Sequence, residues 1–132
     1  MPALGPHPEP VEAGGHLFEP AEGIRILAPY LTPGRLARIE AVLAERTYAA
    51  VPVLEGLYDR GNVSAVIRTA EALGYQAVHI VELQDAFKEA NRVTQGADKW
   101  LDIHRWDTTR ACLACLRARG YRIVAMCMED AQ

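Results

Sequence analysis

No apolar run in this 132-residue chain approaches the ~18–20 residues that a membrane span requires. The opening residues, MPALGPHPEP, have neither a basic n-region nor an apolar h-region, so they do not read as a secretory signal. Three cysteines cannot complete a disulfide framework, and the expectation is a reduced, cytoplasmic protein. There is no GxxxxGK[ST] loop, no GxGxxG after a strand, no HExxH and no GxSxG. These absences remove the common fingerprints of nucleotide binding, zinc proteolysis and serine hydrolysis. Nor is there an excess of bases: 14 Lys and Arg against 17 Asp and Glu leave a net charge of −3. Bulk charge alone therefore does not advertise a polyanion as partner.

Charge and turn-forming residues are unevenly spread. Seven of the eight prolines and five of the ten glycines fall in residues 1–34, with Glu9, Glu12, Glu19 and Glu22 against the single base Arg25. Such a stretch buries too little to offset its ordering entropy, so residues 1–34 read as a flexible Pro/Gly/Glu-rich leader, with a short ordered piece allowed around Ile24–Leu31. Residues 35–132 carry 13 bases and 13 acids and form the body. Twelve of the 14 bases are arginine, a bias that suits phosphate but that a GC-rich genome also produces.

From Arg35 onward, helical and strand patterns alternate. Arg35–Arg46 has Leu36, Ile39 and Leu43 on one stripe and predicts a helix. Val51–Glu55 predicts a strand with Pro52 near its start or on an edge. A turn, Tyr58–Gly61, then leads to a helix over Asn62–Leu73, with Asn62 as N-cap and Gly74 just past the end. Ala77–Glu82 predicts a second strand, Asp85–Lys99 an irregular stretch, and Trp100–Arg105 a short strand. Thr108–Arg119 predicts an amphipathic helix closed by Gly120, and Tyr121–Met128 (YRIVAMCM) a buried strand. The alternation implies an α/β fold: a mostly parallel sheet with flanking helices.

Three features could carry chemistry. On a helical wheel, Arg35, Arg38 and Arg46 share an arc of roughly 80°, and none has a carboxylate three or four residues away. That pattern suits an external polyanion, but on the pattern alone a solvated face, or pairing with carboxylates elsewhere in the fold, comes first. The strand–turn–helix running through DRGN has the geometry of a ligand site in an α/β sheet. In its helix Val63, Val66, Ile67, Ala70 and Leu73 are expected on the buried face, while Asn62, Ser64 and Arg68 project elsewhere. A plain cap accounts for Asn62, and an i,i+3 pair with Glu71 for Arg68. Cys112 and Cys115 have CxxC spacing but lie inside an amphipathic helix, away from the N-terminal position that lowers a thiol pKa, and Cys127 has no mate for a zinc set. Core packing is the reading for these cysteines, with no metal site. His79, in AVHIVE, reads as a core histidine.

The run VPVLEGLYDRGNVSAVIRTAEALGYQAVHIVE, with NRVTQGADKWLDIHRW and TTRACLACLRARGYRIVAM after it, resembles the SPOUT-superfamily RNA ribose 2′-O-methyltransferases of the TrmH/SpoU type. The likeness covers roughly residues 35–130 and centres on N-x-x-A-x-x-R-T: Asn62, Ala65, Arg68 and Thr69. It implies the N-terminal portion of an α/β-knot methyltransferase domain, tRNA as partner and S-adenosylmethionine as cofactor. By the same resemblance Arg68 is the catalytic arginine and Asn62 shapes its site. Arg35, Arg38 and Arg46 are implied as tRNA-binding arginines, and Lys99 as part of the RNA-contacting surface. Because a guanidinium is a poor base, Arg68 is expected either to clamp a phosphate and orient the ribose hydroxyl or to lose its proton only when phosphate-bound.

Two departures from the family pattern matter. Gly61 stands where the family usually has histidine before the asparagine. The glycine–glutamate and SLN-type motifs that build the knot, the cofactor pocket and most of the homodimer interface are missing from the 132 residues. Cofactor-binding residues are therefore unassigned, and this chain alone is not expected to bind S-adenosylmethionine. A truncated or split methyltransferase, a non-catalytic RNA-binding module and a gene fragment all stay open.

Overall fold

A computed structural model describes residues 10–56, 60–81 and 96–126, without the side chains of Arg60 and Asp98. Contacts divide the chain into two compact units, one ending at Thr47 and the other beginning at Tyr48.

The first unit adds elements to residues 1–34, whose composition reads as a flexible leader with a short ordered piece allowed around Ile24–Leu31. Strands β1 (Val11–Ala13) and β2 (His16–Phe18) pair antiparallel, with Val11 opposite Phe18 and Ala13 opposite His16. Between them Gly14 and Gly15 take φ of 60° and 77°. Two consecutive positive φ angles make the type I′ geometry that matches strand twist, and a glycine pair adopts it without steric cost. Helix α1 (Pro20–Leu27) follows, with proline in its first turn, where a missing N–H goes unnoticed. A 3₁₀ turn over Ala28–Tyr30 leads into helix α2 (Pro33–Ala44). Thr32 caps α2, its hydroxyl accepting from the Arg35 N–H at 3.3 Å.

Helix α2 is shifted toward the N-terminus relative to the predicted Arg35–Arg46. Its end tightens into 3₁₀-type bonds, Glu45 N–H to the Val42 carbonyl and Arg46 N–H to the Leu43 carbonyl, which leaves Arg46 beyond the helix. Arg46 therefore does not share the wheel of Arg35 and Arg38.

The second unit is an α/β layer structure. Strands β3 (Val53–Glu55), β4 (Ala77–Val81) and β5 (Asp102–Trp106) form a sheet in the order β3-β4-β5, and both pairings are parallel. The expected parallel sheet is present. β4 is central and buried at all five positions, as its unbroken apolar run requires. Pro52 sits before β3, and its carbonyl still accepts from the His79 N–H at 2.9 Å.

Helix α3 (Arg60–Ala72) covers one face of the sheet: Val63, Ile67 and Ala70 pack with Leu54, Val78, Ile80 and Leu101. Helix α4 (Thr109–Ala118) serves a second cluster, in which Cys112 and Leu116 pack with Val81 against Val53, Trp106 and Tyr121. Ile67, Val78 and Cys112 are fully buried. Both helices end in a Schellman motif. Tyr75 N–H reaches the Ala70 carbonyl and Gly74 N–H the Glu71 carbonyl, with Gly74 at φ 77°. Tyr121 and Gly120 repeat the pattern on Leu116 and Arg117, with Gly120 at φ 86°.

The predicted strand over Tyr121–Met128 is not formed in residues 121–126, and 127–128 lie outside the described residues. Tyr121 and Ile123 pack on the α4 cluster, whereas Val124 and Met126 are exposed. The alternation survives, but among the described residues no strand completes a ladder with it and no layer covers its outer side. Among the described residues no helix is long and apolar enough to cross a membrane.

Candidate functional site

α3 begins at Arg60, two residues earlier than predicted, so Asn62 lies within its first turn instead of capping it. Tyr58 and Asp59 of the predicted turn lie outside the described residues. On a wheel of ~100° per residue, Val63, Ser64, Ile67 and Ala70 occupy the side facing the sheet, and all four are buried. Ser64 is thus a core residue, its Oγ without a hydrogen-bond partner among the described residues, and Leu73 is 62% exposed. Both reverse the expected assignment. Apolar character alone pulls Leu73 inward on paper, but its angle places it with Asn62, Ala65, Thr69 and Ala72 on the outer side. Arg68 is exposed on the same broad side.

An open cleft of about 690 Å³ runs along this outer side. One wall is α3, through Ala65, Arg68, Thr69, Glu71, Ala72 and Leu73; the other is Gly96, Ala97 and Trp100. The second wall belongs to a 3₁₀ turn over Ala97–Trp100, which also carries the exposed Lys99. Arg68 and the turn bearing Lys99 are thus brought to one place, although 31 residues separate them in sequence. The Arg68 guanidinium forms no ion pair among the described residues; in particular, the i,i+3 pair with Glu71 is absent. Thr69 directs its hydroxyl back to the Ala65 carbonyl at 2.8 Å, an i−4 bond that occupies its proton.

A hydrogen-bonded relay holds the second wall in place. Tyr48 OH donates to Asp102 Oδ2 at 2.8 Å. Gln76 Nε2 donates to Asp102 Oδ1 at 3.4 Å and to the Trp100 carbonyl at 3.2 Å, and the Asp102 N–H reaches the Gln76 carbonyl at 2.8 Å. Tyr121 OH donates to the Tyr48 carbonyl at 2.5 Å, tying the segment after α4 into the same relay. Burial and the bond to Asp102 raise the Tyr48 phenol well above its usual value, and burial also raises Tyr121.

Arg35 and Arg38 are exposed on α2, roughly 60° apart around the helix. Arg46 is half-buried and engaged in an interaction within the chain. The remaining candidates are structural. His79 is buried in β4 and its Nδ1 accepts from the Trp106 indole at 2.9 Å, as suits a satisfied core histidine. Burial raises the Cys112 thiol, as does its neighbour Cys115, the opposite of the lowered thiol that a redox cysteine needs. Among the described residues no group of three or more His, Cys, Asp or Glu is placed to hold a metal ion. Leu73, whose pattern predicts a buried face, and Trp100, whose pattern predicts the start of a strand, both line the cleft. The tryptophan in GADKW is the available signal, and only the Gln76–Asp102 relay shows where it points.

Residues 50–132 match the SpoU rRNA Methylase family. The chain is 35% identical over 102 residues to the tRNA (guanosine(18)-2′-O)-methyltransferase of Borreliella burgdorferi, covering 77% of this chain and 47% of that protein. With the enzyme of the same name from Escherichia coli K12 it shares 31% identity over 100 residues, covering 76% of this chain and 44% of the relative. Among solved structures, a TrmH/SpoU tRNA-modifying enzyme of A. aeolicus superposes with a TM-score of 0.57 at 28% identity, covering 66% of this chain and 45% of the other. The chain thus spans about half the length of the curated relatives it matches. With its parallel sheet, its N-x-x-A-x-x-R-T helix and this match over most of its body, the chain belongs to the SpoU methylase family.

Proposed function

We propose that this chain is the RNA-binding, motif-one part of a tRNA ribose 2′-O-methyltransferase. The observation that carries the reading is Arg68: an exposed guanidinium with no ion-pair partner among the described residues, set in an open cleft of a SpoU-family domain. A guanidinium presents a planar fork of donors that matches two phosphate oxygens at once. Arg68 grips the phosphate beside the target ribose, and fixing that phosphate orients the neighbouring 2′-hydroxyl for in-line transfer. Asn62, about 9 Å along the helix axis from Arg68, extends the same contact toward the helix start. Lys99 adds a second cation beside the cleft. Arg35 and Arg38 hold the tRNA backbone, and Arg46 contributes less because it is already half-buried.

S-adenosylmethionine is the methyl donor of the complete enzyme, supplying an electrophilic methyl on a sulfonium. The cleft does not fit that molecule. A small-ligand pocket buries ~70–90% of its occupant, whereas this one is open along its length. The chain by itself therefore binds RNA and not the methyl donor, and the cofactor pocket and the family's homodimer contacts come from protein beyond these elements. With tRNA as substrate, the proposed location is the cytoplasm.

Two titrations test this reading. In one, an unmodified, fluorescently labelled tRNA transcript is expected to bind with an affinity that falls steeply with salt. In the other, S-adenosylmethionine is expected to give no calorimetric binding signal. Absence of tRNA binding at low salt, or tight binding of S-adenosylmethionine by this chain, overturns the proposal.

A further inference from the structure

We infer that Trp100 is a stacking platform for one unpaired base of the bound RNA, next to the phosphate held by Arg68. The inference rests on the RNA reading above and adds to it a specific contact of a different physical kind. The wall residues of the cleft include one cation, Arg68, one anion, Glu71, and one aromatic ring, Trp100, on the wall opposite Arg68. Most of the remaining lining is small or apolar, including Ala65, Ala72, Ala97 and the 62%-exposed Leu73; Thr69 and Glu71 are its polar members, and Glu71 is already engaged in an interaction within the chain. The cleft, about 690 Å³ and open along its length, leaves room for one nucleotide of a longer strand that continues past it. A nucleotide is also the ligand whose two halves match these walls, because its phosphate suits a guanidinium and its base offers a flat face to an indole.

Trp100 is only half-buried, although an indole gains by full burial. The neighbouring backbone is held firmly all the same. Leu101 is buried in the α3 cluster, Ala97 packs against it, and Gln76 fixes the Trp100 carbonyl. The ring is thus presented from a preorganised turn, so stacking on it costs little ordering of the protein. Because the Gln76 bond uses the main-chain carbonyl, replacing the side chain leaves the anchor intact.

Stacking and charge pairing are separable by their salt dependence. Removing a phosphate contact lowers the slope of log affinity against log salt, whereas removing a stacking ring lowers affinity at constant slope. The probes are the unmodified tRNA transcript and, as an anion without bases, inorganic polyphosphate. Trp100→Ala is expected to weaken tRNA binding about tenfold, the size seen for base-stacking aromatics, with unchanged salt slope and unchanged polyphosphate binding. Trp100→Phe is expected to recover most of the loss. In a Trp106→Phe background, tRNA is expected to quench the emission of Trp100. Wild-type affinity in Trp100→Ala, or an equal loss of tRNA and polyphosphate binding, overturns the stacking role while leaving the RNA reading standing. Should Trp100→Ala fail to fold, the phenylalanine variant and the quenching measurement decide: loss of binding in a folded Trp100→Phe, or no quenching, overturns it. Failure of the wild-type chain to bind tRNA at all removes the RNA reading and this inference together.

Discussion

The indole N–H of Trp106 donates to Nδ1 of His79 at 2.9 Å, while the His104 ring stacks on His79 with centroids 4.7 Å apart. The register makes this possible, since His79 lies opposite His104, and Val81 opposite Trp106, across the β4–β5 pair. A buried imidazole that accepts from an indole is a structural fixture of the sheet, not a base awaiting substrate. Trp106→Phe removes that donor, and a loss of ~1–3 kcal/mol in unfolding free energy is expected, with tRNA affinity changed less than twofold. Denaturant unfolding and a tRNA titration check the two halves.

Tyr48 links stability to pH. Its phenol is raised in the folded state by burial and by the bond to Asp102, whereas in the unfolded chain it titrates near pH ~10. The folded state therefore holds this proton more tightly. The stabilisation is fully present below pH ~10 and is lost as pH rises toward the folded value. Tyr48→Phe is expected to cost ~1.5–3 kcal/mol at pH 7, the range for a hydrogen bond to a charged group. The variant is also expected to show a shallower decline above pH ~10. Urea denaturation at pH 7 and pH 10.5 measures both effects.

Helix ends give a third prediction. Thr108 accepts from the Ala111 N–H at 3.2 Å as the N-cap of α4, and Thr108→Ala is expected to cost ~1 kcal/mol. Gly74→Ala forces a side chain into φ 77° and is expected to cost ~1–2 kcal/mol. The two helices pack in different clusters, so the double variant is expected to show the sum within ~0.5 kcal/mol.

The buried CxxC gives a fourth. Cys112 is fully buried against Val81 and Leu116, while Cys115 is half-buried. Cys112→Ser places a hydroxyl in an apolar cluster and is expected to cost ~1–3 kcal/mol, whereas Cys115→Ser costs less. Thermal unfolding with and without dithiothreitol is expected to coincide, because neither thiol sits at a helix N-terminus where it would be activated.

Much of the second unit was legible from residue pattern alone. The apolar run of β4, the stripe of α3 and the glycines at 74 and 120 mark a parallel sheet flanked by helices, because burial and capping act locally. Three features depend on less local physics. The hairpin over residues 11–18 hides in a stretch whose proline and glutamate content argues for disorder, and the Gly14–Gly15 pair outweighs that composition. The segment from Tyr121 has strand character but finds no partner strand within residues 121–126, so propensity is not converted into a ladder. At the candidate site, Arg68 and Asn62 stand out through the N-x-x-A-x-x-R-T pattern. The facing wall at Trp100 depends on Tyr48, Gln76 and Asp102 meeting across the sheet, which no local window contains. The exposure of Arg35 and Arg38 follows from helix periodicity, whereas Arg46 leaves their arc because α2 closes two residues early.

The most direct test of the central claim is the salt dependence of binding to an unmodified tRNA transcript, compared across the wild type, Arg68→Ala and Arg35→Ala/Arg38→Ala. The account predicts binding whose log–log slope falls in magnitude by about one for Arg68→Ala and about two for the double variant, with helical content unchanged. A slope identical in all three proteins would contradict it.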